Sequence, residues 1–244
     1  MTIAPHKVTI IIPCYNEEDG IADVINNFPT EYLKYNGFEV EIVVVDNNST
    51  DRTAEIAQSL GATVLHEPKK GKGHAIRKGF NYVADCRNCE YVVMLDGDNT
   101  YHSQEVLRLL EPLRAQFSDV VIGSRLGGRI LMGSMKVTNR IGNRIFSRLV
   151  RTFYRVHVTD VLTGYFAWNF HALEKLRPYL KSQGFAIEME MVTKMARLGL
   201  EICSVPISYS ARAGETNLNP LTDGIRILSM FINNLFWKPK AHSK

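Results

Sequence analysis

Three features of the sequence predict an α/β protein built on a doubly wound, mostly parallel sheet flanked by helices. Short β-branched runs alternate with amphipathic stretches through the first half, the order that forms parallel strands joined by crossover helices. One of the runs, Tyr91–Leu95, carries no charge at all, the composition of a strand buried on both faces of a sheet. Polar clusters follow the runs directly, at the carboxyl ends of the strands, where open α/β sheets hold their ligands. At 244 residues, 45% hydrophobic and 22% charged, the chain has the size and composition of one globular domain spanning 1–244.

Lys7–Ile12 (KVTIII) is predicted as the first strand, closed by Pro13. The loop Cys14-Tyr15-Asn16-Glu17-Glu18 can stack an aromatic ring on a base and accept hydrogen bonds from it or its ribose. The same residues make a helix entry with Asn16 as N-cap, and both readings are compatible. A helix over Glu18–Phe28 and a second strand over Glu39–Val45 follow. That strand ends at Asp46-Asn47-Asn48-Ser49-Thr50-Asp51, which places Asp46 where a ribose or base would lie and opens a helix over Asp51–Leu60 capped by Ser49 or Thr50. The Gly-x-Gly-x-x-Gly fingerprint of dinucleotide sites is absent.

Ala62–His66 reads as a third strand and Ala75–Ala84 as a helix. Between them Pro68-Lys69-Lys70-Gly71-Lys72-Gly73 is either a loop that brings backbone and lysine charge to a phosphate or a solvated basic loop. It lacks the Gly-Lys-Ser/Thr ending of a Walker loop. Next comes Tyr91–Leu95, a buried strand running into Asp96-Gly97-Asp98. Two carboxylates there cost too much desolvation to remain unpaired, so a hard cation, Mg²⁺ or Mn²⁺, that also holds a diphosphate accounts for both. An ordinary Asp-Gly turn is the alternative. A helix over Ser103–Gln116, a strand over Asp119–Ile122 and a mobile glycine-rich loop over Gly123–Arg129 complete the first half.

The formal net charge of +4 conceals an asymmetry: residues 123–159 carry +8 with no acid, leaving −4 on the rest. Lys136, Arg140, Arg144, Arg148, Arg151 and Arg155 recur at helical spacing. Val137, Ile141, Ile145, Leu149 and Phe153 run beside them, roughly 100° around the axis. A cationic stripe beside an apolar one suits a helix lying on a membrane surface. No recognition motif accompanies it, so nucleic acid is not expected as a partner.

Asp160, ahead of Thr163-Gly164-Tyr165 and an aromatic strand, is suited to orient an arginine or contact a sugar hydroxyl. Helices are predicted over His171–Leu180 and Ala186–Arg197, the second carrying Glu188 and Glu190 as dipole partners or sugar contacts, then a last strand over Glu201–Tyr209. Asn219–Trp237 forms a final helix in a tail over 210–244. Its Phe236 and Trp237, followed by Lys238, Lys240 and Lys244, suit an interfacial anchor, packing on the domain, or a homodimer contact. Nothing is long enough and apolar enough to span a bilayer, and MTIAPHKV carries no apolar signal core. The expectation is a cytoplasmic chain bound peripherally to the cytoplasmic face of a membrane. Cys14, Cys86, Cys89 and Cys203 form no disulfide framework, the single Cys-x-x-Cys is read as incidental, and no histidine stands at zinc-ligand spacing.

Taken in order, VTIIIPCYNEE, VVVDNNSTDRT, GKGHAIRKGF, VVMLDGDNTY, IGSRLGG and TDVLTGYFAW over residues 8–168 resemble glycosyltransferase family 2 enzymes of the GT-A fold, a Rossmann-like architecture. The resemblance is strongest to the polyprenyl-phosphate sugar synthases, such as dolichol-phosphate mannose and glucose synthases, and SYSARAGETNLNPLTDGIRIL extends it into the tail. It implies a nucleotide-sugar half over 1–122 and an acceptor half over 123–209. It further implies that Pro13, Tyr15, Glu17 and Asp46 hold the nucleoside, that Asp96 and Asp98 bind the metal and diphosphate, and that Arg125 and Arg140 hold the acceptor phosphate. Arg144 would add a second cation there, and Lys72 falls on the donor side. Relatives often carry Gln where this chain has Thr100, which leaves a third protein ligand to the metal in doubt.

The expected chemistry is metal-dependent, inverting transfer of a sugar from a UDP- or GDP-sugar to a polyprenyl phosphate, with Asp98, Arg125, Arg140 and Asp160 as the catalytic set. A phosphate acceptor needs no general base; a hydroxyl acceptor would, from Asp160, Glu188 or Glu190. Alternatives are a family 2 enzyme acting on such a hydroxyl and a non-catalytic nucleotide-sugar-binding subunit.

Overall fold

The computed structural model describes residues 4–212 and 220–239. Its strands are β1 (His6–Cys14), β2 (Phe38–Asp46), β3 (Thr63–His66), β4 (Tyr91–Met94), β5 (Val120–Ile130), β6 (Phe166–Asn169) and β7 (Ile202–Tyr209). They form one seven-stranded sheet in the order β3-β2-β1-β4-β6-β5-β7. All neighbours run parallel except β6, which lies antiparallel between β4 and β5.

The strands are uncharged where helices cover both faces, at Val8–Ile12 of β1, Val43–Val45 of β2, all of β4 and Val120–Ile122 of β5, whereas Lys7, Glu39 and Glu41 stand toward strand ends that helices cover less fully. Ile11, Val45, Val92, Met94, Phe166 and Trp168 face one core, while Ile10, Ile12, Val44, Val93 and Ala167 face the other, the alternation of pleated strands. Helices α1 (Ile21–Asn26), α2 (Thr30–Tyr35), α3 (Thr53–Ser59) and α5 (Val106–Arg114) go with the second core. Helices α4 (Lys72–Cys86), α6 (Val137–Tyr154), α7 (Phe170–Leu176), α8 (Ile187–Arg197) and α9 (Pro220–Leu235) go with the first. Trp168 anchors that core, stacked on Phe166 at 5.4 Å and edge-on to Phe80 at 5.2 Å.

Several local expectations are corrected. The first helix begins at Ile21 with Gly20 as its cap; Asn16 instead adopts φ 53° and its Oδ1 accepts the Thr50 N–H at 2.8 Å. Ser49 accepts the Asn16 N–H, and Asp51 accepts from Thr53 N at 3.0 Å and Glu18 N at 3.1 Å, so the loops after β1 and β2 are stitched together rather than each capping its own helix. Asp51, not Ser49 or Thr50, serves the start of α3. The Ser103–Gln116 stretch divides into a 3₁₀ turn (Ser103–Glu105) and α5. Gly123–Arg129 is no mobile loop: β5 continues through it to Ile130 against β7. A Cβ on Gly128 would stand 2.0 Å from the Ile207 carbonyl oxygen, so its glycine permits close strand approach. All four cysteines are free thiols.

Candidate active site

The carboxyl ends of β1 and β4 and the start of α4 enclose a cavity of about 280 Å³. Pro13, Cys14, Tyr15 and Glu17 come from the end of β1 and the loop after it; Asp96 and Asp98 follow β4; Lys72 opens α4; Phe185 and Arg212 close the rim. Lys70 donates to the Tyr15 hydroxyl at 2.8 Å and lies over its ring, so part of the basic loop belongs to this cavity. Asn47 lines the cavity whereas Asp46 does not; the buried Asp46 carboxylate accepts the Ser49 N–H and meets His66 Nδ1 at 3.1 Å.

Charges in the cavity are paired across the fold. The Lys72 ammonium lies 2.8 Å from Asp96 Oδ1 and 2.7 Å from Glu188. Burial works against its charge, but Asp96 and Glu188 prevail and hold it above the usual lysine range. Arg212 pairs with Glu17 and reaches Asp98 at 3.3 Å. Burial pushes Glu17 up to about 8, opposed by Arg212 and reinforced by Asp98 and Asp96. Asp98 is raised by burial and then by Asp96, while its Oδ1 accepts from the Thr100 hydroxyl at 2.6 Å. Thr100 therefore orients Asp98.

These acids fit a divalent cation. Asp96 Oδ1 is buried without a hydrogen bond of acceptable geometry, despite the ammonium beside it. Among the described residues no group of three or more His, Cys, Asp or Glu side chains could hold a metal, so most of the coordination would fall to substrate phosphates and water, as suits Mg²⁺ or Mn²⁺. Gly164 of the Thr-Gly-Tyr turn makes room for this acid: a Cβ there would stand 2.3 Å from Asp96 Oδ2. Gly164→Ala is accordingly expected to weaken Mn²⁺ and nucleotide binding by about tenfold, the ratio 1.4 kcal/mol of lost contact produces, with little change in unfolding temperature. Calorimetric titration checks it, and unchanged affinity would show that Asp96 does not depend on this cradle.

A second cluster, outside the lining of that cavity, is built on Arg125 and Asp160. Arg125 forks onto Asp160, Nε and Nη2 each donating at 2.9 Å, and also donates to the Leu162 carbonyl. Asp160 is fully buried and further bonded to the Arg125 N–H at 2.9 Å and Asn143 Nδ2 at 2.5 Å. Of the alternatives for Asp160, orienting an arginine is the one the geometry displays. Burial opposes its charge, but Arg125 and Asn143 outweigh that and hold it below the usual carboxylate range. Arg125 Nη1 has no protein acceptor among the described residues, and the guanidinium carbon lies 5.2 Å from the Tyr209 ring centre and 6.0 Å from that of Tyr101. Glu190 is spent on Lys194 at 2.5 Å and on the N–H groups of Lys181 and Ser182. Arg212 and Asn143 escaped the sequence reading; the only trace of Asn143 is its i,i+4 spacing with Ser147 on the buried face of α6.

The profile of Glycosyl transferase family 2 matches residues 9–177. The chain belongs to this family. It is 38% identical over 222 residues to glycosyltransferase AglJ of Haloferax volcanii, covering 90% of this chain and 69% of that one. The dolichyl-phosphate hexose transferase of the same organism is 32% identical, with 90% of each chain covered. The undecaprenyl-phosphate mannosyltransferase of Micrococcus luteus is 29% identical, covering 87% of this chain and 88% of that one. Among solved structures, glucosyl-3-phosphoglycerate synthase from Mycobacterium tuberculosis, in complex with Mn²⁺, uridine diphosphate and glucosyl-3-phosphoglycerate, superposes with a TM-score of 0.70 at 22% identity. That match covers 97% of this chain and 82% of the other, and shows the shared GT-A fold.

In this family 2 glycosyltransferase the basic stripe does form one helix, α6, and Arg140 and Arg144 are exposed on it without a salt bridge among the described residues. Val137, Ile141, Ile145 and Phe153 are all more than half exposed. Helix α9 packs beside α6, with Phe231 5.5 Å from the Tyr154 ring and its carbonyl accepting the Tyr154 hydroxyl, and exposes Ile225, Leu228 and Ile232. Trp237 packs on the body, edge-on to Tyr179 at 5.0 Å, whereas Phe236 is exposed. Lys240, Lys244 and the 213–219 part of the tail motif lie outside the described residues. No described helix is long and apolar enough to cross a membrane.

Proposed function

We propose that this glycosyltransferase moves a hexose from a nucleoside diphosphate sugar to a polyprenyl phosphate at a membrane surface, with inversion at the anomeric carbon. The observation that carries the reading is the exposed apolar face of α6 and α9 beside the unpaired Arg140 and Arg144. An acceptor with a phosphate head and a hydrocarbon tail matches that combination. The two relatives named for dolichyl and undecaprenyl phosphate acceptors support it.

On the donor side, which we assign to residues 1–122, Pro13, Tyr15, Glu17 and Asp46 form or back the nucleoside pocket, and Lys72, joined by Arg212 from the 210–244 tail, brings charge to the diphosphate. Asp96 and Asp98 would hold Mg²⁺ or Mn²⁺, which supplies Lewis-acid stabilisation of the leaving diphosphate. On the acceptor side, residues 123–209, Asp160 positions Arg125, and Arg125 with Arg140 and Arg144 holds the lipid phosphate in line. The phosphate is already an anion at neutral pH and attacks without a base. A hydroxyl acceptor would need a base from Asp160, Glu188 or Glu190, and each is already committed, Asp160 to Arg125, Glu188 to Lys72 and Glu190 to Lys194, which favours an acceptor that needs none.

The test supplies UDP- and GDP-sugars, Mn²⁺ and a short polyprenyl phosphate in phosphatidylglycerol vesicles, and follows sugar into the organic phase. Lipid-linked product with inverted configuration is expected. Ile141→Glu with Ile145→Glu should lower vesicle binding by about tenfold or more, each exposed side chain contributing around 1.5 kcal/mol when fully buried. Transfer to hydroxyl acceptors alone, or a retained anomer, would overturn the reading.

A further inference from the structure

We propose that a cationic cleft separate from the donor cavity binds a multiply charged phosphate anion. The cleft, about 550 Å³, lies between the loop before α4, the outer face of α4 and the 3₁₀ turn Arg177–Tyr179. Lys69, His74, Arg77, Lys78 and Arg177 line it together with a single acid, Glu67. Glu67 turns Oε1 onto the Lys69 N–H at 2.9 Å, and none of the four permanent cations forms a salt bridge among the described residues. A concave wall of one sign concentrates its field on whatever enters.

The donors are arranged rather than merely solvated. Arg77 is pinned by Nε to the Gly73 carbonyl at 3.2 Å and by Nη2 to His74 Nδ1 at 2.8 Å. Because His74 Nδ1 accepts from a guanidinium, the ring proton sits on Nε2, which remains a donor. Arg177 Nη1 donates to Asn81 at 3.3 Å, while its Nε is buried with no partner. The Nη1 contact to Asn81 is long, so the outer edge of the guanidinium is weakly held and open to an anionic acceptor. Two fixed guanidinium groups, an imidazole N–H and two mobile ammonium groups match phosphate oxygens carrying more than one charge.

This cleft shares a wall with the donor cavity. Asn47 donates to the carbonyls of Glu67 and Lys69 and accepts the Gly71 N–H at 2.7 Å, so one side chain sets the loop that sends Lys69 to the cleft and Lys70 to Tyr15. An anion bound in the cleft would therefore be felt by the donor pocket. The phosphate could belong to a free polyphosphate or to a lipid headgroup; the chemistry recognised is the same.

The test titrates inorganic pyrophosphate into the metal-free protein in EDTA and follows the His74 ring by proton NMR. A saturable shift is expected, weakened about tenfold or more in Arg177→Gln, which loses one charge-assisted hydrogen bond, and at least as much in Lys78→Glu, which sets an anion against the phosphate. Binding of UDP with Mn²⁺ should change less than twofold in both variants. A second arm compares phosphatidylglycerol with phosphatidylcholine vesicles: a loss of anionic-vesicle binding in these variants without a pyrophosphate response assigns a lipid headgroup, and the converse assigns a soluble phosphate. No response in either arm, affinity in both variants unchanged from the unsubstituted protein, or competitive displacement of pyrophosphate by UDP would overturn the proposal. Because the readout needs neither metal nor turnover, its failure is distinct from failure of the transferase reading.

Discussion

Asp98→Ala is expected to lower sugar transfer by about 10³-fold, the scale of losing a preorganised group that stabilises leaving-group charge, without lowering the unfolding temperature of the metal-free protein. The two outcomes share a cause. Glu17, Asp96 and Asp98 crowd one small cavity, and burial together with Asp96 already pushes Asp98 above the ordinary carboxylate range. Its charge is an expense to the folded state, offset by Arg212 and Thr100 and made useful only when a cation and diphosphate arrive. After substitution Arg212 still has Glu17. Initial rates with saturating Mn²⁺ and a thermal melt check both halves; transfer within tenfold of the unsubstituted protein would remove Asp98 from the metal site.

Asp160→Ala has the opposite profile, a stability loss of about 3–5 kcal/mol from leaving a buried charge without its partner. The Arg125 guanidinium would remain enclosed, and the Arg125 N–H and Asn143 amide would lose their acceptor as well. Asp160→Asn should cost less because it keeps an oxygen. The folded carboxyl is held below its usual 3.8. Below that value the unfolded chain binds more protons than the folded one, so the contribution is complete above about pH 4 and is lost as pH falls through the folded value. Urea unfolding at pH 7 and pH 3 should show Asp160→Asn losing less stability on acidification than the unsubstituted chain. Equal acid sensitivity would mean that other carboxylates govern acid unfolding.

Much of the fold was legible because its signals are local. Runs of β-branched residues marked β1, β2 and the uncharged β4, and the four-residue spacing of Arg140, Arg144 and Arg148 marked α6. The Gly-rich stretch after Ile122 misled because glycine serves equally a mobile loop and a strand pressed against its neighbour; the Ile207 backbone against Gly128 decides for the strand. Asn16 misled because its side chain found a partner across the site, at Thr50, in place of its own helix.

The sequence by itself determined the alternation of strands and helices, the acids at the end of β4, the basic helix with its apolar flank and the family resemblance. Each is a matter of residue type at short spacing, which periodicity and strand-end chemistry transmit directly. Tertiary structure alone decided the pairings: Lys72 with Asp96 and Glu188, Arg125 with Asp160, and Arg212 with Glu17 across 195 positions of sequence. Those depend on the antiparallel insertion of β6 between β4 and β5, which brings Gly164 against Asp96, and on β7 pairing with β5, which returns Arg212 to the cavity. Sheet order is set by the packing of whole faces, and no local spacing carries it.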